Sequence, residues 1–207
     1  MKFDSLIFDM DGTLWDAVDS YSEIWNQVID ELHTPVAHVT RAQLEPLMGK
    51  TLDTIYATLV GDAADKSVFF ELLTSRESEL MPVIGGKVYP GVHETLRTLK
   101  NNGVKLFMIS NCGAHGLPNF LTFTGLGDVM TDHLSLGQTG KSKTENILNL
   151  IKRYNLERPA YVGDTAGDRD YTHAASIPFI WAAYGFGHDV YGADYTINNI
   201  KELMEIQ

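Results

Sequence analysis

The sequence predicts an α/β protein, built as a parallel sheet with helices on both faces and a helical domain inserted after the first strand. Short apolar runs alternate with helix-period segments from residue 93 onwards, which is typical of parallel strands joined by helices. Residues 15–83 instead carry the helical period throughout. We therefore place the core domain at residues 1–14 and 84–207 and the helical domain at residues 15–83.

The insert contains four predicted helices. The first, over 16–32, has apolar residues at three- and four-residue steps. Thr40, Thr51 and Asp65 each fit the N-cap position of a further helix, because their side-chain oxygens can accept hydrogen bonds from the free N–H groups of a first turn. The Gly- and Pro-containing segment 83–92 then predicts the crossing back to the core.

Strands and helices alternate in the core. The first strand, at 6–8, is a continuous apolar run, which predicts burial on both faces. The other predicted strands are 104–109, 129–134, 159–162 and 178–182, and the predicted helices are 93–102, 117–124, 144–154 and 169–176.

Composition narrows the classes of protein and partner. Apolar residues make up 44% of the 207 positions and charged residues 21%, a globular balance. The net charge of −11 argues against nucleic acid, and no apolar stretch approaches the roughly 20 residues of a membrane helix. Cys112 is the only cysteine, and Asp4 and Asp9 interrupt any apolar leader. We expect a cytoplasmic protein without nucleic-acid or membrane partners; its oligomeric state is open.

Polar side chains follow three of the predicted strands at the point where each strand ends. Because open parallel sheets bind ligands at the carboxyl ends of their strands, we expect these side chains to lie together. Two lysines also stand at a helix start, where free N–H groups already favour anions. The residues are Asp9, Asp11 and Thr13 after the first strand, Ser110 and Asn111 after the second, Asp164 and Asp168 after the fourth, and Lys141 and Lys143 at the helix.

This set of residue types suits phosphoryl transfer. Several acids at one sheet edge repel one another unless a cation lies between them, and Mg²⁺ suits a site that also holds a phosphate. One carboxylate can then attack phosphorus to form an aspartyl-phosphate. A second acid can protonate the leaving oxygen and later accept a proton from water. Thr13, Ser110 and Lys143 offer donors for the three outer oxygens of the phosphoryl group.

The motifs that carry these residues resemble those of the haloacid dehalogenase-like (HAD) hydrolase superfamily. They are DMDGT at 9–13, SN at 110–111, Lys143, and GDTAGD at 163–168, in the family's order. The insert, together with YPGVHETLRTLKNNG and FIWAAYGFG, is similar to the phosphoglycolate phosphatase-like subgroup. The resemblance covers essentially the whole chain, and it implies a Rossmann-like core with a helical cap domain.

The resemblance also implies a role for each site residue. An acid at position 11 points to phosphoryl transfer, because dehalogenases lack one there. The implied catalytic residues are Asp9 as nucleophile, Asp11 as general acid/base, and Lys143. The implied metal residues are Asp9, Asp11 (through its main-chain carbonyl), Asp164 and Asp168. The implied substrate- and phosphate-binding residues are Thr13, Ser110, Asn111 and Lys143, with Gly49 and Lys50 in a cap loop that faces the active site.

Two sequence features depart from the commonest pattern of this family. The lysine motif is Lys-Ser-Lys-Thr rather than Lys-Pro, so Lys141 and Lys143 compete for one role. We prefer Lys143, because it leads directly into the apolar positions of the next helix. Trp15 follows the first motif near the cap hinge, where it can narrow the substrate space.

Two site residues also have a structural alternative. Asp168 can be the cap of a helix that begins at Arg169, a role that does not exclude one beside the metal. Gly49 can be a helix-ending glycine followed by a solvated Lys50.

The leading hypothesis is a Mg²⁺-dependent phosphatase that hydrolyses a small phosphorylated metabolite through an aspartyl-phosphate. The alternatives are a phosphomutase acting on a sugar phosphate, an inorganic pyrophosphatase, and a binding module that kept the fold without the chemistry. The absence of a basic residue from 16–25 disfavours the phosphomutase. Phosphoglycolate, sugar phosphates, nucleotide monophosphates and pyrophosphate all stay open as substrates.

Overall fold

A computed structural model describes residues 2–206, and its centre is a six-stranded parallel sheet. In chain order the strands are β1 (Ser5–Phe8), β2 (Trp15–Asp16), β3 (Lys87–Val88), β4 (Lys105–Ser110), β5 (Asp132–Ser135), β6 (Pro159–Gly163), β7 (Phe179–Ala182) and β8 (Tyr195–Ile197). The order across the sheet is β5-β4-β1-β6-β7-β8, with Phe8 opposite Met108 on one side and Val162 on the other. β1 is therefore central and buried.

Helices cover both faces of the sheet, so the predicted α/β fold class is confirmed. Leu6 and Phe8 pack into one hydrophobic core, while Ile7, on the opposite face, packs into a second. The helices are α1 (Val18–Glu31), α2 (Arg41–Leu44), α3 (Leu52–Leu59), α4 (Lys66–Ile84), α5 (Val92–Asn101), α6 (Gly116–Thr124), α7 (Leu136–Thr139), α8 (Lys143–Tyr154), α9 (Ala166–Ala174) and α10 (Leu203–Ile206).

The segment between β2 and β3 is helical, with α1 packed on α4 and α4 packed on α6 of the sheet region. Trp25, Tyr56 and Phe69 form its aromatic centre, with ring centroids 5.2 and 5.3 Å apart. The expectation of helices only from residue 15 is wrong at its first two residues, because β2 pairs antiparallel with β3. The division into core and cap domains at residues 14/15 and 83/84 stays a prediction.

Three further elements differ from the prediction. The strand predicted at 129–134 begins at Asp132, because Val129 closes a turn after α6. β8 lacks a predicted counterpart, since its three residues are too few to show a period. α9 begins at Ala166 rather than Arg169, with Thr165 as its N-cap. Asp168 is therefore in the first helical turn and is not the cap.

Local capping sequences fix where the two helices nearest the site, α8 and α9, begin. α8 begins at Lys143 because Ser142 and Glu145 form a reciprocal capping box. α9 begins in the same way, with Thr165 and Asp168 as the two members of the box. Within residues 2–206, no helix has both the length and the apolarity needed to span a membrane.

Candidate active site

The carboxyl ends of three adjacent strands form the site. Asp9 follows β1, Ser110 ends β4, and Asp164 follows β6. All three side chains are buried. The parallel register brings these strand ends to one edge, which places together residues that lie more than 100 positions apart in the chain.

Lys143 links two carboxylates beneath this edge. Its Nζ lies 2.7 Å from Asp9 Oδ1 and 2.7 Å from Asp168 Oδ1, and it is 1% exposed. Burial lowers the pKa of Lys143, but the charges of Asp168 and Asp9 outweigh burial and hold that pKa well above its ordinary value. Lys141 is exposed. The structure therefore brings Lys143, and not Lys141, to the nucleophile candidate.

Asp9 has one satisfied oxygen and one free oxygen. Oδ1 accepts the Lys143 hydrogen bond, while Oδ2 is buried and has no hydrogen-bond partner among residues 2–206. Burial raises the pKa of Asp9 to about 6, and the ammonium of Lys143 opposes that shift. Oδ2 is thus available to a ligand or a metal.

Three carboxylates form an acidic cluster that could hold a metal. Ligand atoms of Asp9, Asp164 and Asp168 all lie within 4.8 Å of one another. Burial, with the charges of Asp168 and Asp9, raises the pKa of Asp164 well above its ordinary value. Lys143 supplies a single positive charge against three acids. This excess of clustered carboxylates over positive charge fits a divalent cation with oxygen ligands.

The three acids are not equally free to bind a metal. Both oxygens of Asp168 are engaged, Oδ1 by Lys143 and Oδ2 by the backbone N–H and hydroxyl of Thr165. Asp164 Oδ2 accepts from the backbone N–H groups of Phe186 and Gly187, at 2.8 and 3.3 Å. Asp168 therefore positions Lys143 and supports the cluster rather than offering a free oxygen to a metal.

The Asp11 carboxyl is held by a hydrogen bond from a neighbouring side chain. Its Oδ1 accepts a 2.9 Å hydrogen bond from the indole Nε1 of Trp15. Burial, with the charge of Asp9, raises the pKa of the Asp11 carboxyl well above its ordinary value. This carboxyl therefore holds a proton at a higher pH than a free aspartate does, which suits a group that donates a proton. Its implied metal contact through the main-chain carbonyl stays a prediction.

Trp15 and Thr13 contact the site acids from the protein interior. Trp15 is fully buried against Phe120, with ring centroids 5.0 Å apart, so the expectation that it narrows the substrate space is wrong. The hydroxyl of Thr13 donates to Asp164 Oδ1 over a long 3.4 Å. The bond from Thr13 to a phosphate stays a prediction.

A cleft lies between the helical segment and the sheet edge. Asn111 Nδ2 donates to the carbonyl of Gly49 at 2.8 Å, which joins the predicted cap loop to the site. Gly49 has φ +80° and follows a 3₁₀ turn, so it is also a turn-ending glycine, and Lys50 is exposed. The cleft is lined by Asp9, Asp11, Ser110, Asn111, Gly49 and Lys50, by apolar side chains of the helical segment such as Tyr21, Trp25, Met48 and Ile55, and by Glu77 of α4.

Two functional features escaped the sequence reasoning. The loop Gly185–Gly187 binds the Asp164 carboxylate through backbone N–H groups. Its glycines were a sequence signal for this close approach, because a Cβ at Gly185 would overlap the carbonyl oxygen of Gly12. Glu77 faces the cleft from α4. A single acid inside a helix carries no motif, so no sequence signal was available for it.

The sequence model of one family, described as haloacid dehalogenase-like hydrolase, matches residues 6–182. The chain belongs to the haloacid dehalogenase-like hydrolase family. It has the fold and motif order that the sequence indicated, and within this family the chain is a phosphatase. Phosphatases of this family generally use a divalent metal, in keeping with the acidic cluster of this HAD hydrolase.

Curated relatives of this HAD hydrolase include two bacterial phosphoglycolate phosphatases. The protein of Chromobacterium violaceum is 27% identical over 98% of this chain and 95% of its own length. The plasmid protein of Cupriavidus necator is 25% identical over 96% and 90%.

Solved structures share the fold. A predicted phosphoglycolate phosphatase from Haemophilus somnus 129pt has a TM-score of 0.88 at 20% identity, covering 100% of this chain and 98% of its own. CbbY from Rhodobacter sphaeroides, in complex with xylulose-1,5-bisphosphate, has a TM-score of 0.82 at 16% identity, covering 97% and 96%. At these identities the structural likeness concerns the fold alone.

Proposed function

We propose that this HAD hydrolase is a Mg²⁺-dependent phosphatase that cleaves a small phosphorylated metabolite through an aspartyl-phosphate on Asp9. One observation carries the proposal. Asp9 sits buried at the central strand end, with Oδ1 held by Lys143 at 2.7 Å and Oδ2 free of hydrogen bonds beside the cleft. This is the environment of a nucleophile oriented through one oxygen and reactive through the other.

In the first step, Asp9 Oδ2 attacks phosphorus and the bond from phosphorus to the leaving oxygen breaks. Asp11, whose pKa is raised by burial and by the charge of Asp9, gives a proton to that leaving oxygen. In the second step, the Asp11 carboxylate accepts a proton from water as the water oxygen attacks phosphorus and releases Asp9. Asp11 thereby regains the proton it lost.

The remaining site residues supply positive charge, hydrogen-bond donors or metal ligands near the transferring phosphoryl group. Lys143 keeps Asp9 ionised and supplies positive charge close to the transferring phosphoryl group. Ser110 and Asn111 line the same floor of the cleft and offer donors to phosphoryl oxygens. Asp9 and Asp164, supported by Asp168, would hold Mg²⁺, which when bound supplies the charge that lets two anions approach each other.

The proposal is tested with Asp9→Asn. We expect phosphate release from 4-nitrophenyl phosphate in Mg²⁺ to fall to background, because an amide is a far weaker nucleophile, while circular dichroism stays that of the wild type. Acid quench followed by mass spectrometry should find phosphate on the peptide that contains Asp9 in the wild type only. Asp170→Asn, at an exposed aspartate of α9, is the matched control and should keep full activity.

Persistent turnover by Asp9→Asn would overturn the nucleophile assignment. A wild type that isomerises a sugar phosphate without releasing phosphate would favour the phosphomutase instead. Lack of any turnover in the wild type would favour the non-catalytic module.

A further inference from the structure

Glu77 presents a carboxylate to the cleft in which the proposed function places the substrate. It stands on α4 where that helix crosses α6, and its backbone carbonyl accepts a 3.0 Å hydrogen bond from the buried Asn119. Its side chain lines the same cleft as Asp9 and Ser110. Within residues 2–206, no cation and no side-chain donor pairs with its carboxylate. Glu77 is half-buried, so a hydrogen-bond donor on a ligand in the cleft could pair with its carboxylate in place of water.

The surroundings of Glu77 are apolar and acidic. Tyr21, Met81 and Ile55 line the wall of the cleft near this helix, and burial alone raises the pKa of Glu77 to about 7. The charge of Glu77 also acts on Asp11 and Tyr21, so its field reaches the proton-donor candidate. A second negative group brought here would meet a like charge in a partly desolvated space.

Positive charge in the cleft lies elsewhere. Lys143 is buried beneath Asp9 and already pairs with Asp9 and Asp168. Among the described residues that line the cleft, Lys50 is the only lysine or arginine, and its side chain is exposed to solvent. The wall formed by α4 therefore presents a hydrogen-bond acceptor and offers no cation to a carboxylate on the substrate.

Building on the proposed function, we infer that Glu77 selects the organic part of the substrate. It favours phosphomonoesters that end in a hydrogen-bond donor, an ammonium group above a neutral hydroxyl, and it rejects those that end in a carboxylate. Phosphoglycolate, the substrate in the names of the curated relatives, has a carboxylate in this place. The ammonium end would supply the ion pair that Glu77 lacks, whereas a carboxylate end would add repulsion.

Three two-carbon phosphomonoesters test the inference at nearly equal size: 2-aminoethyl phosphate, 2-hydroxyethyl phosphate and phosphoglycolate. At about pH 8, above the Glu77 pKa of about 7, we expect kcat/KM of the wild type to fall in that order, with about tenfold or more between the amine and the carboxylate. Glu77→Gln keeps the shape but removes the charge, so it should shrink that ratio about tenfold, chiefly by raising kcat/KM for phosphoglycolate. Glu71→Gln, at an exposed glutamate of the same helix, should leave the ratio unchanged.

Failure of the Glu77 inference and failure of the proposed phosphatase function give different outcomes. If 4-nitrophenyl phosphate is hydrolysed but phosphoglycolate is the fastest of the three esters, the inference fails and the proposed function stands. An amine-to-carboxylate ratio that is the same in wild type and Glu77→Gln likewise overturns it. If no ester is hydrolysed in Mg²⁺, both fail. The wild-type order decides the matter on its own if the variant does not fold.

Discussion

Replacing Trp15 with phenylalanine removes the hydrogen bond that its indole N–H donates to Asp11. The two atoms lie 2.9 Å apart and both side chains are buried. Within residues 2–206, no other side chain donates a hydrogen bond to the Asp11 carboxyl. The substitution therefore leaves the proton-donor candidate without its only side-chain anchor, and it also shrinks a ring that packs on Phe120.

The size of the effect follows from these contacts. A buried hydrogen bond of this kind contributes about 1–2 kcal/mol net, and the smaller ring costs about 1–2 kcal/mol more in packing. Because the indole N–H lowers the pKa of Asp11, its loss raises that pKa further.

The sign of the pH effect follows from the role of Asp11. The first chemical step needs Asp11 protonated, so a higher pKa extends the active form to higher pH. We expect the alkaline limb of kcat/KM to move to higher pH in Trp15→Phe. We also expect kcat at the optimum to fall about tenfold, because the carboxyl loses its orientation.

Two measurements check this reasoning. Urea unfolding gives the free energies of unfolding of the wild type, Trp15→Phe, Asp11→Ala and the double variant. Comparing the four cancels the packing loss and leaves the coupling free energy between Trp15 and Asp11, which we expect to be about 1–2 kcal/mol. The pH profile of kcat/KM is recorded on 4-nitrophenyl phosphate. A coupling below about 0.3 kcal/mol, together with an unmoved alkaline limb, would refute the positioning of Asp11 by Trp15.

Two further predictions concern the charged groups. Lys143→Met should lower kcat/KM at least about 100-fold, because it removes the ammonium that contacts Asp9, whereas the exposed Lys141→Met should change it less than about twofold; equal losses in steady-state assays would contradict the assignment. Mg²⁺ at about 100 times its dissociation constant should stabilise the wild type by about 2.7 kcal/mol in calorimetric unfolding, and Asp164→Asn should lose most of that gain; an undiminished shift in the variant would exclude Asp164 from the metal site.

Local sequence patterns were sufficient for much of the fold. The apolar run at 6–8 predicts β1 because a strand buried on both faces requires apolar residues throughout. The start of α8 is equally local, since the capping box of Ser142 and Glu145 fixes it. Elements held by distant pairing were missed: β2 forms because Trp15 lies opposite Val88, more than 70 residues away.

The candidate site divides in the same way. By itself, the sequence determined the parallel α/β architecture and the placing of Asp9, Ser110 and Asp164 at strand ends, because strand period and motif spacing are properties of neighbouring residues. Only the tertiary structure decided two further points. It brings Lys143 rather than Lys141 into contact with Asp9, and it places the carboxylate of Glu77 in the cleft. Contacts such as the bond from Lys143 to Asp9, across 134 residues, depend on how helices pack on the sheet, and no local pattern encodes that packing.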